Sequence, residues 1–149
     1  MRPQEHKRGR DDVRPLFLRQ AGIPLTRPRI VFWSYLIDAR KALTLPEIIE
    51  AMRERGIGRA TAYRCVKLFT DLGVLRSFRD ITGETCHVLV HVGDGHVLVC
   101  GRCHAVVELP AGREVVRMIR HAQAVSGFEV YGSELMLYGL CPDCRLALS

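Results

Sequence analysis

The sequence predicts an α+β protein with an N-terminal winged helix-turn-helix domain and a small C-terminal α/β domain. Three observations lead to this fold class. Apolar residues recur with helical spacing in the first 72 residues, and two segments with the alternation of β-strands follow around a glycine-containing turn. Helices followed by a hairpin are the element order of a winged helix. Residues 1–80 carry 17 Lys and Arg against 9 Asp and Glu, whereas residues 81–149 carry 5 against 7. Both C-x-x-C pairs lie in the second half.

The composition indicates a folded chain whose first half suits a polyanion. Hydrophobic residues make up 48% of the chain, which is enough for a core. The net charge of +6 is concentrated in the first half, as in proteins that bind nucleic acid. No apolar run reaches the roughly 18 residues of a membrane helix, and the charged N-terminus lacks the apolar stretch of a signal peptide. We therefore expect a cytoplasmic protein with no membrane partner, in which residues 1–12 form a flexible basic arm.

Three helices are predicted before residue 56. The first covers residues 13–21 and ends at Gly22. The second starts after Thr26, a candidate N-cap, and we predict an inner stripe of Ile30, Trp33 and Ile37. The third begins at a capping box in which Thr44 and Glu47 each bond the other's backbone. Its apolar face is predicted to consist of Leu45, Ile48, Ile49 and Met52.

The fourth predicted helix begins near Arg59 and has two different faces. The inward face is apolar and comprises Ala62, Cys65, Val66, Leu68, Phe69 and Leu72. The outward face is small, polar and cationic and comprises Arg59, Ala60, Thr61, Tyr63, Arg64 and Lys67. Small residues let a helix approach a groove closely, Arg and Lys neutralise phosphates, and Arg, Thr and Tyr reach base edges. We therefore predict that this face binds DNA and that Cys65 is a buried, unreactive thiol.

A two-stranded hairpin is predicted to follow this helix. Residues 74–79 and 85–90 alternate in strand fashion around a turn at residues 81–84. Arg76 and Arg79 in the first strand are predicted to lie near DNA phosphates. The winged-helix domain then covers residues 13–90, and the glycine-rich residues 91–95 are predicted to be a hinge.

Residues 96–149 are predicted to form the second domain. Strands are expected at residues 96–100, 105–109, 128–131 and 134–140. A helix is expected at residues 114–126, with Val115, Ile119 and Ala122 facing inward.

Four cysteines have the spacing of a metal site. Cys100 and Cys103 form one C-x-x-C pair, and Cys141 and Cys144 form the other. Two intervening residues allow both sulfurs to turn toward one ion, at about 2.3 Å each for zinc. Four thiolates around Zn²⁺ leave no position for water, so such a site is structural, with one ion per chain. Two disulfides or free thiols are the alternatives for a chain of this kind.

Several motifs, in this order, resemble those of a known family. Residues 18–29 read L-R-Q-A-G-I-P-L-T-R-P-R, residues 60–64 read A-T-A-Y-R, residues 98–103 read L-V-C-G-R-C, and residues 138–144 read Y-G-L-C-P-D-C. In these motifs the chain resembles the ferric-uptake-regulator (Fur) family of bacterial metal-responsive repressors over about residues 14–145. The resemblance implies a winged-helix DNA-binding domain, a hinge and a zinc-stapled dimerisation domain. It also implies a homodimer on a palindromic operator.

The sensory metal site of that family is rearranged in this chain. Its usual hinge-site positions hold Ala42, Val88, Gly95 and Val97, none of which binds a metal through its side chain. The zinc-uptake-regulator branch uses a Cys near the hinge and a Glu that follows the second cysteine of the first C-x-x-C pair. By that resemblance we predict a second, regulatory site built from Cys86 and Glu108 with His96 or His91. Cys, His and Glu together favour Zn²⁺. His104 and His121 are interpreted as surface residues.

The leading hypothesis is therefore a metal-responsive repressor that binds double-stranded DNA as a homodimer. A winged-helix regulator with structural zinc only, switched by another ligand or by none, is the alternative. A zinc enzyme acting on nucleic acid would need an open metal position, which four thiolates do not leave. A metal-buffering protein would need neither the basic helix face nor the basic first half.

Overall fold

The computed structural model describes residues 15–90, 96–109 and 112–148, and its elements follow the order of a winged helix joined to a small α/β domain. The first part contains four helices: α1 Leu16–Gln20, α2 Arg27–Ala39, α3 Leu45–Glu54 and α4 Arg59–Asp71. The predicted α+β fold class is confirmed. No helix among the described residues is long and apolar enough to cross a membrane.

An apolar core holds the four helices together. Phe69 of α4 lies at its centre, with its ring 5.0 Å from that of Phe32 and 5.6 Å from that of Phe17. The prediction for α2 is wrong in register, because Phe32 and Leu36 are its buried residues. The predicted stripe of Ile30, Trp33 and Ile37 is only half-buried. Both stripes have helical spacing, and the contact with Phe69 selects the one that carries Phe32.

The N-terminus of α3 is the predicted capping box. The Glu47 backbone N–H donates to Thr44 Oγ1 at 3.3 Å, and the Thr44 backbone N–H donates to Glu47 Oε2 at 2.7 Å. Thr26 occupies the N-cap position of α2, but its side chain makes no capping hydrogen bond. Both helices therefore have Thr at the N-cap, but only the Thr44 side chain stabilises its helix through a capping hydrogen bond.

The wing is a three-stranded antiparallel sheet. β1 Leu43–Thr44, β2 Leu75–Arg79 and β3 Thr85–Leu89 are arranged in the order β1-β3-β2. β2 and β3 form the predicted hairpin, and Gly83 has a φ of 85° in its turn. β1 was not predicted, since two residues are too short to show alternation.

The C-terminal part contains a second three-stranded sheet. β4 His96–Cys100 lies between β5 Val106–Leu109, which is antiparallel to it, and β6 Met136–Gly139, which is parallel to it. The helices are α5 Arg113–Ser126 and α6 Pro142–Leu146. The strand predicted at residues 128–131 is wrong, because that segment is irregular. The inward stripe predicted for α5 is also not buried in the single chain: Val115 and Ile119 are half-buried, and Ala122 is exposed.

The two parts share an apolar core. Ala42, Phe78, Cys86 and Val88 of the wing region pack in one buried cluster with Val97 and Val99 of β4. We call this contact the seam. The division into residues 13–90 and 96–149 remains a prediction, and the predicted arm (residues 1–12) and hinge (residues 91–95) lie outside the described residues.

Candidate DNA-binding face and metal centres

The outward face of α4 is the surface predicted to bind DNA. The helix begins at Arg59 after Gly58, and four buried residues hold its other side against the core: Ala62, Cys65, Val66 and Phe69. That anchoring turns the predicted contact residues outward. Thr61 is half-buried, and the other five are exposed: Arg59, Ala60, Tyr63, Arg64 and Lys67. The Cys65 thiol is buried as predicted, and burial raises its pKa.

Neighbouring side chains arrange the cationic groups of this face. The Arg59 guanidinium lies 5.6 Å from the centre of the Tyr63 ring, and its Nη2 donates to Tyr63 Oη at 3.3 Å. Arg64 Nη2 donates to Thr61 Oγ1 at 3.1 Å. Lys67 pairs with Asp71 at 2.9 Å, but both side chains are largely exposed. Such a pair contributes only about 0.3–0.5 kcal/mol, so Lys67 is readily redirected to a phosphate.

The two arginines of the wing have different surroundings. Arg76 Nη2 forms an ion pair with Glu134, which precedes β6, and its buried Nε has no hydrogen-bond partner among the described residues. Arg79 is exposed and donates from Nη1 to the Gly83 carbonyl at 2.8 Å, next to the turn. In this arrangement Arg76 joins the two parts of the chain, and its contact with DNA remains a prediction.

The four cysteines of the two C-x-x-C pairs, which we call the cysteine knuckle, come together as the spacing predicts. Their sulfur atoms all lie within 4.8 Å of one another. Cys103 Sγ and Cys141 Sγ are 3.7 Å apart. This agrees with the separation of about 3.8 Å between two sulfurs bound to a tetrahedral zinc at about 2.3 Å each. All four thiols are free, so neither C-x-x-C pair is a disulfide. The cluster ties the end of β4 to the start of α6, and its geometry suits a metal ion.

Backbone N–H groups prepare one of these thiols to ionise. Burial alone raises the pKa of Cys100, but hydrogen bonds from the backbones of Cys103, Cys141 and Arg102 outweigh it and lower the pKa to about 6. The hydrogen bond with Cys141 raises the pKa of Cys144 to about 12. The Cys100 thiol therefore ionises more readily than that of Cys144, and a bound cation would displace the protons of the cluster.

Among the described residues, the predicted regulatory ligands do not come together. Cys86 is buried, and the described residues that could bind a metal with it are Asp80 and His104, whose ligand atoms lie within 4.8 Å, and not His96 or Glu108. His96 is buried in β4, and neither ring nitrogen has a hydrogen-bond partner among the described residues. Glu108 is exposed on β5, and His91 lies outside the described residues. The regulatory set with Glu108 and His96 or His91 therefore stays a prediction, while Cys86 lies at the boundary of the two parts.

The model of the Ferric uptake regulator family matches residues 20–138 of this chain. The chain belongs to the ferric uptake regulator family. Among its curated relatives is the peroxide-responsive repressor PerR of Staphylococcus epidermidis, with 26% identity over 132 residues, or 86% of this chain and 85% of that protein.

Solved structures of family members share the fold. The ferric uptake regulator from Pseudomonas aeruginosa with manganese is 25% identical and gives a TM-score of 0.63 over 88% of this chain and 99% of that one. A zinc uptake regulator complexed with zinc and DNA is 20% identical, with a TM-score of 0.62 over 89% of this chain and 90% of that one. The second likeness concerns the fold alone.

In this member of the ferric uptake regulator family, two ligand-type residues were missed from the sequence. His104 was interpreted as a surface residue, but its side chain is only 16% exposed and lies against Asp80. Asp80 was not singled out from the sequence, where it directly precedes the predicted turn at residues 81–84. The one available signal was that His104 directly follows Cys103, so that the knuckle fixes its position.

Proposed function

We propose that the chain is a metal-responsive transcriptional repressor that binds a palindromic operator as a homodimer. The observation that carries this proposal is the exposed, cationic outer face of α4 on a winged helix, in a chain of this family. Arg59, Thr61, Tyr63 and Arg64 lie toward the N-terminus of α4, and helices of this type contact base edges with their N-terminal residues. The exposed Arg79 of the wing supplies a phosphate contact.

The four-cysteine cluster holds one structural Zn²⁺ in this proposal. Four thiolates suit zinc and close its coordination shell, so the ion binds no water. It fixes α6 onto the end of β4 and stabilises a domain whose own apolar core is small. Because the site is closed, we expect no enzymatic activity from it.

The homodimer is proposed to form through the C-terminal domain. Leu98, Val107 and Leu137 are register neighbours on three adjacent strands, and they are 36%, 46% and 42% exposed. None of the residues of α5 is buried in the single chain, although a helix of its 14 residues is marginal without packing. A second copy would cover both surfaces, and symmetric dimers are the commonest assemblies.

The metal response is proposed to act on the orientation of the two recognition helices. An ion bound where the winged helix meets the dimerisation domain would favour one orientation of the two. Operator affinity then rises to the extent that this orientation matches successive major grooves. Zn²⁺ is the favoured effector, and the cytoplasm is the expected location.

Selection of DNA from a random pool tests the DNA-binding part of the proposal. With zinc present, we expect the protein to enrich a palindrome whose half-sites are separated by about one helical turn, 10–10.5 base pairs, or a multiple of it. Enrichment of no common sequence would contradict the proposal. If the protein selects a palindrome but its affinity for that DNA does not change with any added metal, the result would instead favour a winged-helix regulator with structural zinc only.

A further inference from the structure

We propose that Asp80, Cys86 and His104 form a second metal site, which takes a divalent cation of the Zn²⁺ type and joins the wing to the cysteine knuckle. The site itself stands on geometry and ligand chemistry. Only its regulatory consequence rests on the function proposed above.

The three ligand atoms already have the spacing of a metal site. Cys86 Sγ lies 3.5 Å from His104 Nε2 and 4.0 Å from Asp80 Oδ2, and the last two atoms are 3.0 Å apart. These distances define a triangle whose corners lie about 2.1 Å from a common point, and zinc bonds are about 2.0–2.2 Å to nitrogen or oxygen and 2.3 Å to sulfur. A small outward shift of the sulfur would complete the site.

Hydrogen bonding alone does not account for this convergence. When His104 Nε2 carries a proton and donates it to Asp80, the same nitrogen has no lone pair for the Cys86 thiol. The thiol is then left with the Asp80 carboxylate at 4.0 Å and the Glu84 carbonyl at 3.9 Å, both at the limit for a sulfur donor. A cation at the centre of the triangle engages all three atoms at once.

Neighbouring groups aim each ligand at that centre. Asp80 Oδ1 accepts hydrogen bonds from the backbone N–H and the hydroxyl of Thr82 and from the Glu84 backbone N–H, which leaves Oδ2 for the site. The bond from the Thr82 hydroxyl first, then that with His104 and the two backbone bonds, hold the pKa of Asp80 well below its usual range, although burial opposes this. Outer-shell bonds of this kind orient the ligands of metal sites.

His104 is held by its backbone from both sides of the seam. Its N–H donates to the Cys100 carbonyl at 3.0 Å, and its own carbonyl accepts from the Ala42 N–H at 2.8 Å. Its φ of 65° lies in the left-handed region, which His adopts more readily than most residues. The imidazole is thus placed by the knuckle on one side and by the wing region on the other.

The charges of the site favour a divalent cation. Burial first, and then the carboxylates of Asp80, Glu84 and Glu47, raise the pKa of Cys86 to about 11. A cation would supply the missing positive charge and displace the thiol proton. One thiolate, one carboxylate and one neutral imidazole then balance a charge of +2, which limits the cost of burying the ion. Mixed sulfur, nitrogen and oxygen ligands suit zinc.

The site bridges the two parts of the chain. Asp80 and Cys86 belong to the wing, and His104 directly follows a knuckle cysteine. The same boundary contains the hydrogen bond from the Ile81 N–H to the Gly101 carbonyl at 3.0 Å and the ring contact of Phe78 with Tyr138 at 5.5 Å. An ion at this point would therefore stabilise the seam. With three protein ligands it keeps an exchangeable fourth position, unlike the closed four-cysteine site.

Cobalt titration of the zinc-loaded protein tests the site directly. The four-cysteine site is first filled with zinc, a weak chelator removes other metal, and Co²⁺ is added. We expect a thiolate-to-cobalt charge-transfer absorption that saturates at one equivalent per chain, while elemental analysis still finds one zinc. No such band in the wild-type protein would overturn the proposed site.

The variants assign the band to named ligands. Cys86→Ser should abolish the charge-transfer band. Asp80→Asn, which can keep the turn, and His104→Asn, which tolerates the positive φ, should weaken Co²⁺ binding by at least the roughly 10–100-fold that loss of an outer-shell partner costs. Glu108→Gln and His121→Ala are the matched controls and should titrate as the wild type does. A band that persists in folded Cys86→Ser, or that disappears in Glu108→Gln, would refute the assignment.

Operator binding separates this inference from the proposed function. Asp80→Asn should lose the metal-dependent gain in operator affinity while it retains metal-independent binding. If cobalt binds as predicted but operator affinity does not respond, the site stands and the metal-responsive function is wrong. If operator affinity responds to metal but no cobalt band forms at Cys86, the function stands and this site is wrong.

Discussion

Arg64 and Lys67 are two cationic residues on the same face of α4 with different neighbours. Arg64 is bonded to Thr61 near the start of α4, where a groove-reading helix contacts bases. Lys67 lies further along α4 and pairs with Asp71. We therefore expect Arg64 to read a base and Lys67 to neutralise a phosphate.

Substitution of the two cations should have different effects on DNA binding. Arg64→Ala should weaken binding to the selected operator by about 1–3 kcal/mol and relax its preference at one base position. Lys67→Ala should weaken binding similarly on all sequences and reduce the salt slope by about 1. Fluorescence anisotropy at several salt concentrations measures both, with Arg113→Ala on α5 as the control. Unchanged affinity of Arg64→Ala on every DNA would contradict the assignment of α4.

Loss of one knuckle cysteine should remove the structural metal. Cys100→Ser and Cys144→Ser should each lose the tightly bound zinc and lower the melting temperature, since the remaining three thiolates no longer close the site. Elemental analysis and thermal melting measure the two effects, and Cys86→Ser is the control that should keep this zinc. A Cys100→Ser protein with normal zinc content and unchanged melting would show that the cluster is not the metal site.

At the scale of elements, local signals and the wing hairpin were predicted well, whereas the register of α2 and the pairing of residues 128–131 were not. The capping box at Thr44 and the buried face of α4 depend on residues within one or two turns, so the sequence contains them. The register of α2 depends on which stripe meets Phe69, and two stripes have the right spacing. The alternating segment at residues 128–131 was predicted as a strand, but no strand among the described residues pairs with it.

The two helix caps provide a matched test at this scale. Thr44→Ala removes a side-chain cap and should lower the free energy of unfolding by about 1 kcal/mol. Thr26→Ala is the control, because Thr26 holds the same position in α2 without a capping bond, and its effect should be smaller. Urea denaturation measures both variants. Equal losses would mean that the capping bond at Thr44 adds no stability.

At the scale of the whole molecule, the seam is the feature that the sequence did not predict. Composition and charge indicated two parts joined by a glycine-rich hinge, and they contained no sign of a shared core. Asp80, Cys86 and His104 meet only because the wing packs on the knuckle. Non-local packing of this kind leaves no periodic signal, so the sequence pointed to Cys86 but not to Asp80 and His104 beside it.

Dimer formation should depend on the outer face of the C-terminal sheet. Leu137→Glu places a charge on the β6 side of that apolar surface, next to Leu98, and should shift the protein from dimer to monomer at micromolar concentration. Sedimentation velocity measures the shift, and retained zinc shows that the domain is folded. Leu16→Glu, at a similarly exposed leucine of α1, is the control. A dimeric Leu137→Glu protein would place the interface elsewhere.

The most direct test of a metal-responsive repressor is its operator affinity at one and at two metal ions per chain. The four-cysteine zinc is kept in both samples, and only exchangeable metal is added or chelated. We predict that the second ion tightens operator binding by roughly 5–150-fold, the usual range of coupling between two sites. Equal affinity in the two samples would contradict metal control and leave a regulator whose zinc is structural only.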